Sequence, residues 1–337
     1  MFKPLLLILL SAMLMLSTFA AQAAGSASPE VWLFLRSYNN KTWNQVEGQQ
    51  AWDHLFKNAN EPLPPFMNHV NVVAVASTFN SPPDDILRNA FAKLARNHIA
   101  FAIEAPAQDW TTLSHPCGKG VEGYTDPGTA AKVAAKFKAF GGELAYVTME
   151  GPLSAGYYAR AAQACRSTIR DAAERAAAIM REYKKVFPNV VIGDVEPVPD
   201  LTKQPQWRQD FQQWRQEFQK VFGSPVAYLI VDVNWLEDNG HWQAPLTAVA
   251  SYTRESHLPF GIVFNAAFAE GAKSDMQWLT RAEQNFVQVE TNLHIVPEKA
   301  LFESWSPFPK RVFTNENGPS EDLLVKRYLQ SHGIATQ

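Results

Sequence analysis

Eight short apolar runs alternate along the chain with longer amphipathic segments, and this alternation constrains the fold more than any other feature. Such runs are typical of buried strands, and the intervening segments have the apolar spacing of helices that cover a sheet. The predicted strands span Val31–Arg36, Val70–Ala76, Ile99–Glu104, Glu143–Glu150, Val190–Glu196, Val226–Val233, Phe260–Asn265 and Ala300–Trp305. Eight strand-helix units in about 300 residues predict an α/β fold, the (β/α)8 TIM barrel.

A doubly wound parallel sheet is the main alternative fold. It usually has fewer strands and a glycine-rich phosphate loop after the first strand. The segment after the first predicted strand, residues 37–43, contains no glycine. Because no linker or low-complexity stretch divides the chain, residues 24–337 are predicted to form a single barrel domain.

The first 23 residues have the composition of a secretory signal peptide. Lys3 supplies the positive start, residues 5–19 form an apolar stretch, and Ala21-Gln22-Ala23 matches a small-residue cleavage site. The apolar stretch is short for a membrane span, which needs roughly 18 apolar residues or more. We therefore predict a cleaved signal peptide and a periplasmic or secreted protein without stable membrane insertion.

The charge of the chain excludes one class of partner. The chain has 30 basic and 33 acidic residues, interspersed, with a net charge of −3. A nucleic acid would need a basic face, so none is expected as a partner.

In an oxidising compartment an even number of cysteines favours a disulfide. We predict that Cys117 and Cys165 pair, linking the loop after the third strand to the helix after the fourth.

Five predicted strands carry a carboxylate at or near their C-terminal ends. These residues are Glu104, Glu150, Glu196, Asp232 and Glu303. An ionised carboxylate is costly to bury unless it is paired or solvated, so its repetition at five strand ends needs a cause. Active sites of parallel α/β folds lie at these ends. The pattern therefore predicts an acidic cleft lined from several strands.

Asp194 and Glu196 lie two residues apart on one predicted strand, so their side chains share a face. We expect that face to be the lumen, because two carboxylates against the helix layer would be costly. Neighbouring acids disfavour joint ionisation, which raises one pKa and suits a general acid. We predict Glu196 as the acid and Glu150 as nucleophile or base. The alternative is a buried hydrogen-bonded pair, or an ion pair with a basic residue of the lumen.

Aromatic and polar residues accompany the acids beyond the strand ends. Sugar rings present apolar C–H faces that stack on aromatic planes, and amides can hydrogen-bond sugar hydroxyls. The predicted substrate-binding residues are Glu104, Asp232, Asn234, Trp235, Asn265, Glu303, Trp305 and Tyr157. The alternative is structural, since tryptophans also fill the tops of helices, asparagines suit turns, and acids cap helices.

The histidines lack the spacing of metal ligands, since no His-x-His or His-x-x-x-His pair occurs. No nucleophile motif of the Gly-x-Ser-x-Gly type appears either. We therefore predict no metal ligands and no cofactor. A site for a hard cation, built from carboxylate oxygens of the same acids, stays open as an alternative.

A secreted barrel with glutamates at strand ends and Trp305 closing the eighth strand resembles the (β/α)8 glycoside hydrolases. The tail from Phe302 to Pro319 is similar to the C-terminal ends of several such bacterial proteins. The resemblance covers the mature chain at the level of fold and short motifs at the level of residues. It implies cleavage of a poly- or oligosaccharide by carboxylate acid/base catalysis.

The chain also departs from those hydrolases. The large retaining clan pairs an Asn-Glu at strand four with a Glu at strand seven, whereas here the strands end at Met149-Glu150 and Asn265. The chitinase-like group has Asp-x-Glu on strand four, whereas Asp194-Val195-Glu196 falls on the fifth predicted strand. Two alternatives therefore stay open. One is a non-catalytic periplasmic barrel that binds carbohydrate or associates with exopolysaccharide, and the other is a metal-dependent hydrolase or lyase.

Overall fold

A computed structural model describes residues 28–38, 46–77, 82–110, 117–236, 241–266, 272–314 and 318–336. The predicted signal peptide, residues 1–23, lies outside these ranges. Within them, no helix is long and apolar enough to cross a membrane.

Eight parallel strands form a closed barrel, as the alternating pattern predicts. They are β1 (Glu30–Phe34), β2 (Val72–Ala76), β3 (Ala100–Pro106), β4 (Tyr146–Glu150), β5 (Val191–Val198), β6 (Leu229–Val233), β7 (Phe260–Phe264) and β8 (Lys299–Phe302). Strands that follow each other along the chain are paired, and β8 closes on β1 with Lys299 opposite Glu30. Because β8 ends at Phe302, Glu303 and Trp305 lie just beyond the strand instead of within it.

Helices surround the barrel. In the described ranges they are α1 (Val46–Phe56), α2 (Asp84–Arg96), α3 (Thr129–Ala139), α4 (Ile169–Val186), α5 (Trp207–Phe222), α6 (Gln243–Glu255), α7 (Asp275–Val287) and α8 (Glu321–Ser331). Short helical turns occur at Pro65–His69, Ser154–Tyr158, Asp200–Lys203 and Gln288–Asn292. The (β/α)8 prediction is confirmed.

Helix α4 begins at Ile169. Thr168 fixes this start because its side chain accepts the Asp171 N–H while the Asp171 carboxylate accepts the Thr168 N–H. The residues between β4 and Thr168 form a turn and a loop. This connection forms one wall of the barrel mouth, as described below.

Side chains alternate between two cores along each strand. One core lies between the barrel and the helices. The other fills the lumen and comprises Trp32, Phe34, Val72, Ala74, Ala102, Val195, Tyr228, Ile230, Val263 and Leu301. Gly193 makes room for the lumen core, since a Cβ there would lie 2.0 Å from the Tyr228 ring. The Tyr228 hydroxyl lies 2.8 Å from the Thr148 hydroxyl across the lumen.

An ion pair and three rings fill the lower end of the lumen. Lys299 pairs with Glu30 at the first residues of β8 and β1. Its ammonium lies 5.2–5.4 Å from the ring centroids of Trp32, Tyr146 and Tyr228. Such cation–π contacts stabilise a charge that is largely removed from water. With this end packed, a cleft can form at the C-terminal ends of the strands.

The predicted disulfide between Cys117 and Cys165 is present. Cys165 lies in the loop before α4, not in the helix as expected. Beside it, the Gly118 N–H donates to the Gln163 carbonyl at 2.6 Å. A two-stranded ladder joins Gln108–Asp109 to Tyr124–Thr125. Together these contacts fix the segment 117–125 against the loop that follows β4.

Candidate active site

A cleft with a volume of about 610 Å³ opens at the C-terminal ends of the barrel strands. Most of its wall residues are either acidic or small and apolar. The charged or aromatic residues that line it are Glu104, Glu122, Glu150, Arg160, Asp200, Asp232, Glu303 and Trp305. The predicted acidic cleft is therefore present as a cavity.

Four of the five strand-end acids meet in this cleft. Glu104 on β3 and Glu150 on β4 point into the barrel because they continue the alternation of the lumen residues Ala102 and Thr148. Asp232 and Glu303 follow the lumen residues Ile230 and Leu301 by two positions in the same way. Parallel pairing brings the carboxyl ends of these strands to one rim. Carboxylates far apart in the sequence therefore share one hollow.

Burial and mutual repulsion raise the pKa of these acids. Burial, aided by the charges of Glu122 and Asp232, raises the pKa of Glu150 to about 7. Burial and the Glu122 charge raise the pKa of Asp232 to about 7. Burial and the charges of Glu150, Asp232 and Glu122 raise the pKa of Glu104 well above its usual value. Protonated and ionised carboxyl groups therefore coexist near neutral pH.

Glu303 is the most enclosed of the four acids, at 2% exposure. Its Oε1 accepts the Trp305 indole N–H at 2.8 Å, whereas its Oε2 is buried without a hydrogen-bond partner. Burial and the charges of Glu104 and Asp232 raise its pKa well above the usual value. No lysine or arginine in the described ranges forms an ion pair with any of the four.

The predicted lumen orientation of Asp194 and Glu196 is wrong. Val195, between them, belongs to the lumen core, so both acids face outward. The Trp214 indole of α5 donates to Asp194 Oδ2 at 2.9 Å. Glu196 accepts the N–H groups of Leu153 and Ser154 at 2.8 and 3.1 Å. These donors offset the burial cost that made the outward orientation look unfavourable.

Glu196 shapes the cleft without reaching it. Besides the two N–H groups, its carboxylate also accepts the Ser154 hydroxyl. Ser154 begins the turn Ser154–Tyr158, and Gly151, Ser154 and Ala155 line the cleft. Burial raises the pKa of Glu196 to about 7 although these donors act to lower it. The structure therefore places the predicted general acid behind the cleft wall, where it anchors the loop after β4.

Four predicted sugar-binding residues lie outside the cleft lining. Trp235 is buried in the outer core, with its ring 4.8 Å from that of Trp242. The Asn234 Oδ1 accepts the Leu236 N–H in a turn. Tyr157 packs against the ring of Tyr158.

Asn265, the fourth, is 4% exposed at the end of β7, and its carbonyl accepts the Asn285 side-chain amide. For these four residues the structural alternative describes the contacts better than the predicted sugar-binding role. Trp305 alone among the predicted aromatic residues lines the cleft, and it is partly exposed.

The sequence pattern missed three charged residues of the cleft, Glu122, Arg160 and Asp200. All three lie in connections beyond strand ends, where no periodicity marks them. A signal for two of them exists in the cysteines, because Glu122 follows Cys117 by five residues and Arg160 precedes Cys165 by five. The disulfide therefore brings both of their segments to the same side of the mouth.

The described part of the chain contains no group of three or more histidine, cysteine, aspartate or glutamate side chains placed to hold a metal ion.

Comparison with known proteins gives similarity in fold alone. No family model matches the chain, and no curated protein matches it. A fungal β-1,4-galactanase is 12% identical with a TM-score of 0.48, covering 88% of this chain and 98% of its own. A thermostable mutant xylanase from Cellvibrio japonicus is 10% identical with a TM-score of 0.49, covering 90% and 98%. A mannanase from a Streptomyces species is 13% identical with a TM-score of 0.43, covering 86% and 79%.

At such low identity and similarity these structures add no argument about the site. The architecture is a closed (β/α)8 barrel, and no family model assigns it to a family.

Proposed function

We propose that the protein is a secreted glycoside hydrolase that cleaves a poly- or oligosaccharide by carboxylate acid/base catalysis. The observation that carries this proposal is the convergence of Glu104, Glu150, Asp232 and Glu303 on one cleft. Glycoside hydrolysis needs two carboxyl groups beside the scissile bond, one protonated and one ionised. A set of neighbouring acids with separated pKa values meets that requirement near neutral pH.

In this mechanism Glu104 replaces Glu196 as the general acid. Burial, together with repulsion from Glu150 and Asp232, raises the pKa of Glu104 well above its usual value and favours the protonated form that a general acid needs. Its side chain is partly exposed to the cleft, so it can donate a proton to the leaving oxygen of a bound glycan. Glu150, on the neighbouring strand, is the nucleophile or base, as the sequence predicts.

The remaining acids and Trp305 position the sugar. Asp232 lies close enough to raise the pKa of Glu104, Glu150 and Glu303. The Trp305 indole N–H donates to Glu303, and the centroid of the Trp305 ring lies 5.5 Å from that of Phe34. These two contacts fix the plane of the indole. Its partly exposed ring provides an apolar surface on which one face of a sugar can stack.

The pH dependence of kcat/KM should be bell-shaped, with its acidic limb at about pH 7. The Glu150 carboxylate must lose its proton to act, and its pKa is raised to about 7. Activity should therefore rise through that pH and fall again at higher pH, where Glu104 ionises. Initial rates from pH 4 to 10 at fixed ionic strength measure this. A maximum at pH 4–5 with loss by neutral pH would contradict the assignment.

Export is part of the same proposal. Lys3, the apolar residues 5–19 and Ala21-Gln22-Ala23 support a cleaved signal peptide. The Cys117–Cys165 bond adds support, since disulfides persist in oxidising compartments such as the periplasm. Mass spectrometry of the exported protein should give an N-terminus at residue 24. A full-length chain retained in the cytoplasm would contradict export.

The test of hydrolysis is a panel of neutral, amino and uronic polysaccharides incubated with the purified protein. Chromatography of the products should reveal released oligosaccharides for one class, and Glu150→Gln should lose that release. Failure on every class would favour the second candidate, a barrel that binds carbohydrate without turnover. That candidate is favoured by the end of β7, which carries Asn265 in place of an acid. Calorimetry that shows glycan binding without product release would establish it.

A further inference from the structure

The charge of the cleft is unbalanced. Among its described lining residues, Arg160 is the only base beside six acids. The acids are Glu104, Glu122, Glu150, Asp200, Asp232 and Glu303. Asp200 is paired with Lys203. The other five form no ion pair within the described ranges.

Each side-chain donor among the described lining residues has at least one acceptor within the protein. The Ser154 hydroxyl donates to Glu196, and the Trp305 indole donates to Glu303. The Arg160 guanidinium donates to the Tyr157 carbonyl at 2.7 Å. The rest of the described lining consists of glycine, alanine, valine and proline besides the acids. Apart from Arg160 and the carboxyl groups that keep a proton, a ligand in this cleft therefore meets oxygen acceptors.

One acceptor at the inner end of the cleft has no donor. Glu303 Oε2 is buried without a hydrogen-bond partner, on a side chain that lines the cleft and is 2% exposed. A buried carboxyl oxygen without a partner is costly, and an ammonium beside it would favour the ionised form and donate to it. The oxygen is thus evidence that a polar ligand group reaches this end of the cleft, independent of the number of acids.

We infer that the sugar bound in this cleft carries a free, protonated amino group, as in a polysaccharide whose hexosamine units lack their N-acyl groups. The inference rests on the proposed function, in that the ligand is a sugar. An ammonium supplies three donors and no acceptor, and its hydrogen bonds to carboxylates are charge-assisted. A neutral sugar hydroxyl supplies one donor and no charge, so it offsets less of the repulsion between the acids, and a uronate would be repelled.

Binding of such a ligand should release protons. In the free protein, protons retained by Glu150 and Asp232 reduce the repulsion between the acids, because burial and neighbouring charge raise the pKa values of these two groups to about 7. An ammonium does the same without a proton and returns the pKa values toward the ordinary range. Arg160, the one described base of the lining, opposes the ligand charge and shares the cleft with Glu122.

The test is calorimetry at pH 7 with glucosamine and galactosamine, each beside its N-acetyl form. Monosaccharides contain no glycosidic bond, so turnover cannot alter the result. At low salt the amino forms should bind at least about tenfold tighter than the N-acetyl forms, and the advantage should shrink as salt rises. Repeating the titration in buffers of different ionisation enthalpy should reveal release of protons on binding.

Two matched variants locate the effect. Glu122→Gln removes one negative charge from the rim of the cleft and should reduce the preference for amino forms. Glu143→Gln makes the same change at a surface side chain that is 75% exposed and outside the cleft, and should leave the preference intact. An equal loss in both variants would overturn the inference, because the preference would then reflect net charge alone.

The outcomes separate this inference from the proposed hydrolysis. Equal affinity for amino and N-acetyl forms, or preferred binding of glucuronate, overturns the inference. So does saturation of the cleft by Ca²⁺ with no response to amino sugars. Cleavage of a neutral glycan without any amino preference would reject the inference and keep the hydrolase. A clear amino preference without cleavage of any glycan would keep the inference and reject the hydrolase.

Discussion

Replacing Glu104 by glutamine is expected to lower kcat by about 10²–10⁴-fold on the glycan that the wild type cleaves. Glutamine keeps the size of the side chain but cannot donate the proton that a leaving oxygen needs. The loss should appear in kcat more than in KM, because the contact matters most in the transition state. The alkaline limb of the pH profile should also move, since Glu104 is the group assigned to it.

Glu196→Gln is the matched control for that variant. Both glutamates lie at the C-terminal ends of barrel strands, but Glu196 lies behind the wall and accepts from Leu153 and Ser154. We expect a moderate loss of stability and a much smaller loss of kcat. Unchanged turnover in Glu104→Gln together with abolished turnover in Glu196→Gln would return the acid role to Glu196.

Removing the disulfide in the double variant Cys117→Ser, Cys165→Ser should lower the free energy of unfolding by about 4 kcal/mol. The two cysteines are 48 residues apart, and the chain-entropy model gives about this value for a loop of that length. Denaturant titration of both proteins measures the difference. The bond also joins the segments that carry Glu122 and Arg160, so the variant should lose activity before it unfolds.

A reductant provides the control for the disulfide. Under reducing conditions the wild type should fall to the stability of the double variant, and the double variant should not change. A difference in the free energy of unfolding below about 1 kcal/mol between the oxidised wild type and the double variant would contradict the chain-entropy model. It would show that the unfolded chain gains little freedom when the bond is absent.

The sequence predicts the barrel and most of its acids because both depend on local pattern. An apolar run predicts a buried strand, and a carboxylate at the end of that run can be identified from the sequence alone. Glu104, Glu150, Asp232 and Glu303 meet in the cleft because parallel strands bring their ends to one rim. Periodicity does not predict the position of loop residues such as Glu122. Glu122 reaches the cleft because the disulfide holds its loop at the barrel mouth.

The failure at Asp194 and Glu196 has a physical cause. A spacing of two fixes that both side chains share a face of β5, but it does not say which face. The choice depends on distant residues. The Tyr228 ring occupies the space beside Gly193 in the lumen, and Trp214 of α5 offers a donor on the outer side. The sugar-binding prediction for Trp235 fails for a similar reason, since only tertiary packing shows that its ring faces Trp242.

The central claim is that carboxyl groups from four strands share one hollow, in which burial and neighbouring charges raise their pKa values. NMR titration of the side-chain carboxyl carbons tests it directly, on wild type and on Glu104→Gln. Glu150 and Asp232 should titrate at about 7 in the wild type. The pKa of Glu303 should be lower in the variant, because the charge of Glu104 no longer raises it. Titration of Glu104, Glu150, Asp232 and Glu303 near their ordinary values, each indifferent to the substitution, would contradict the account.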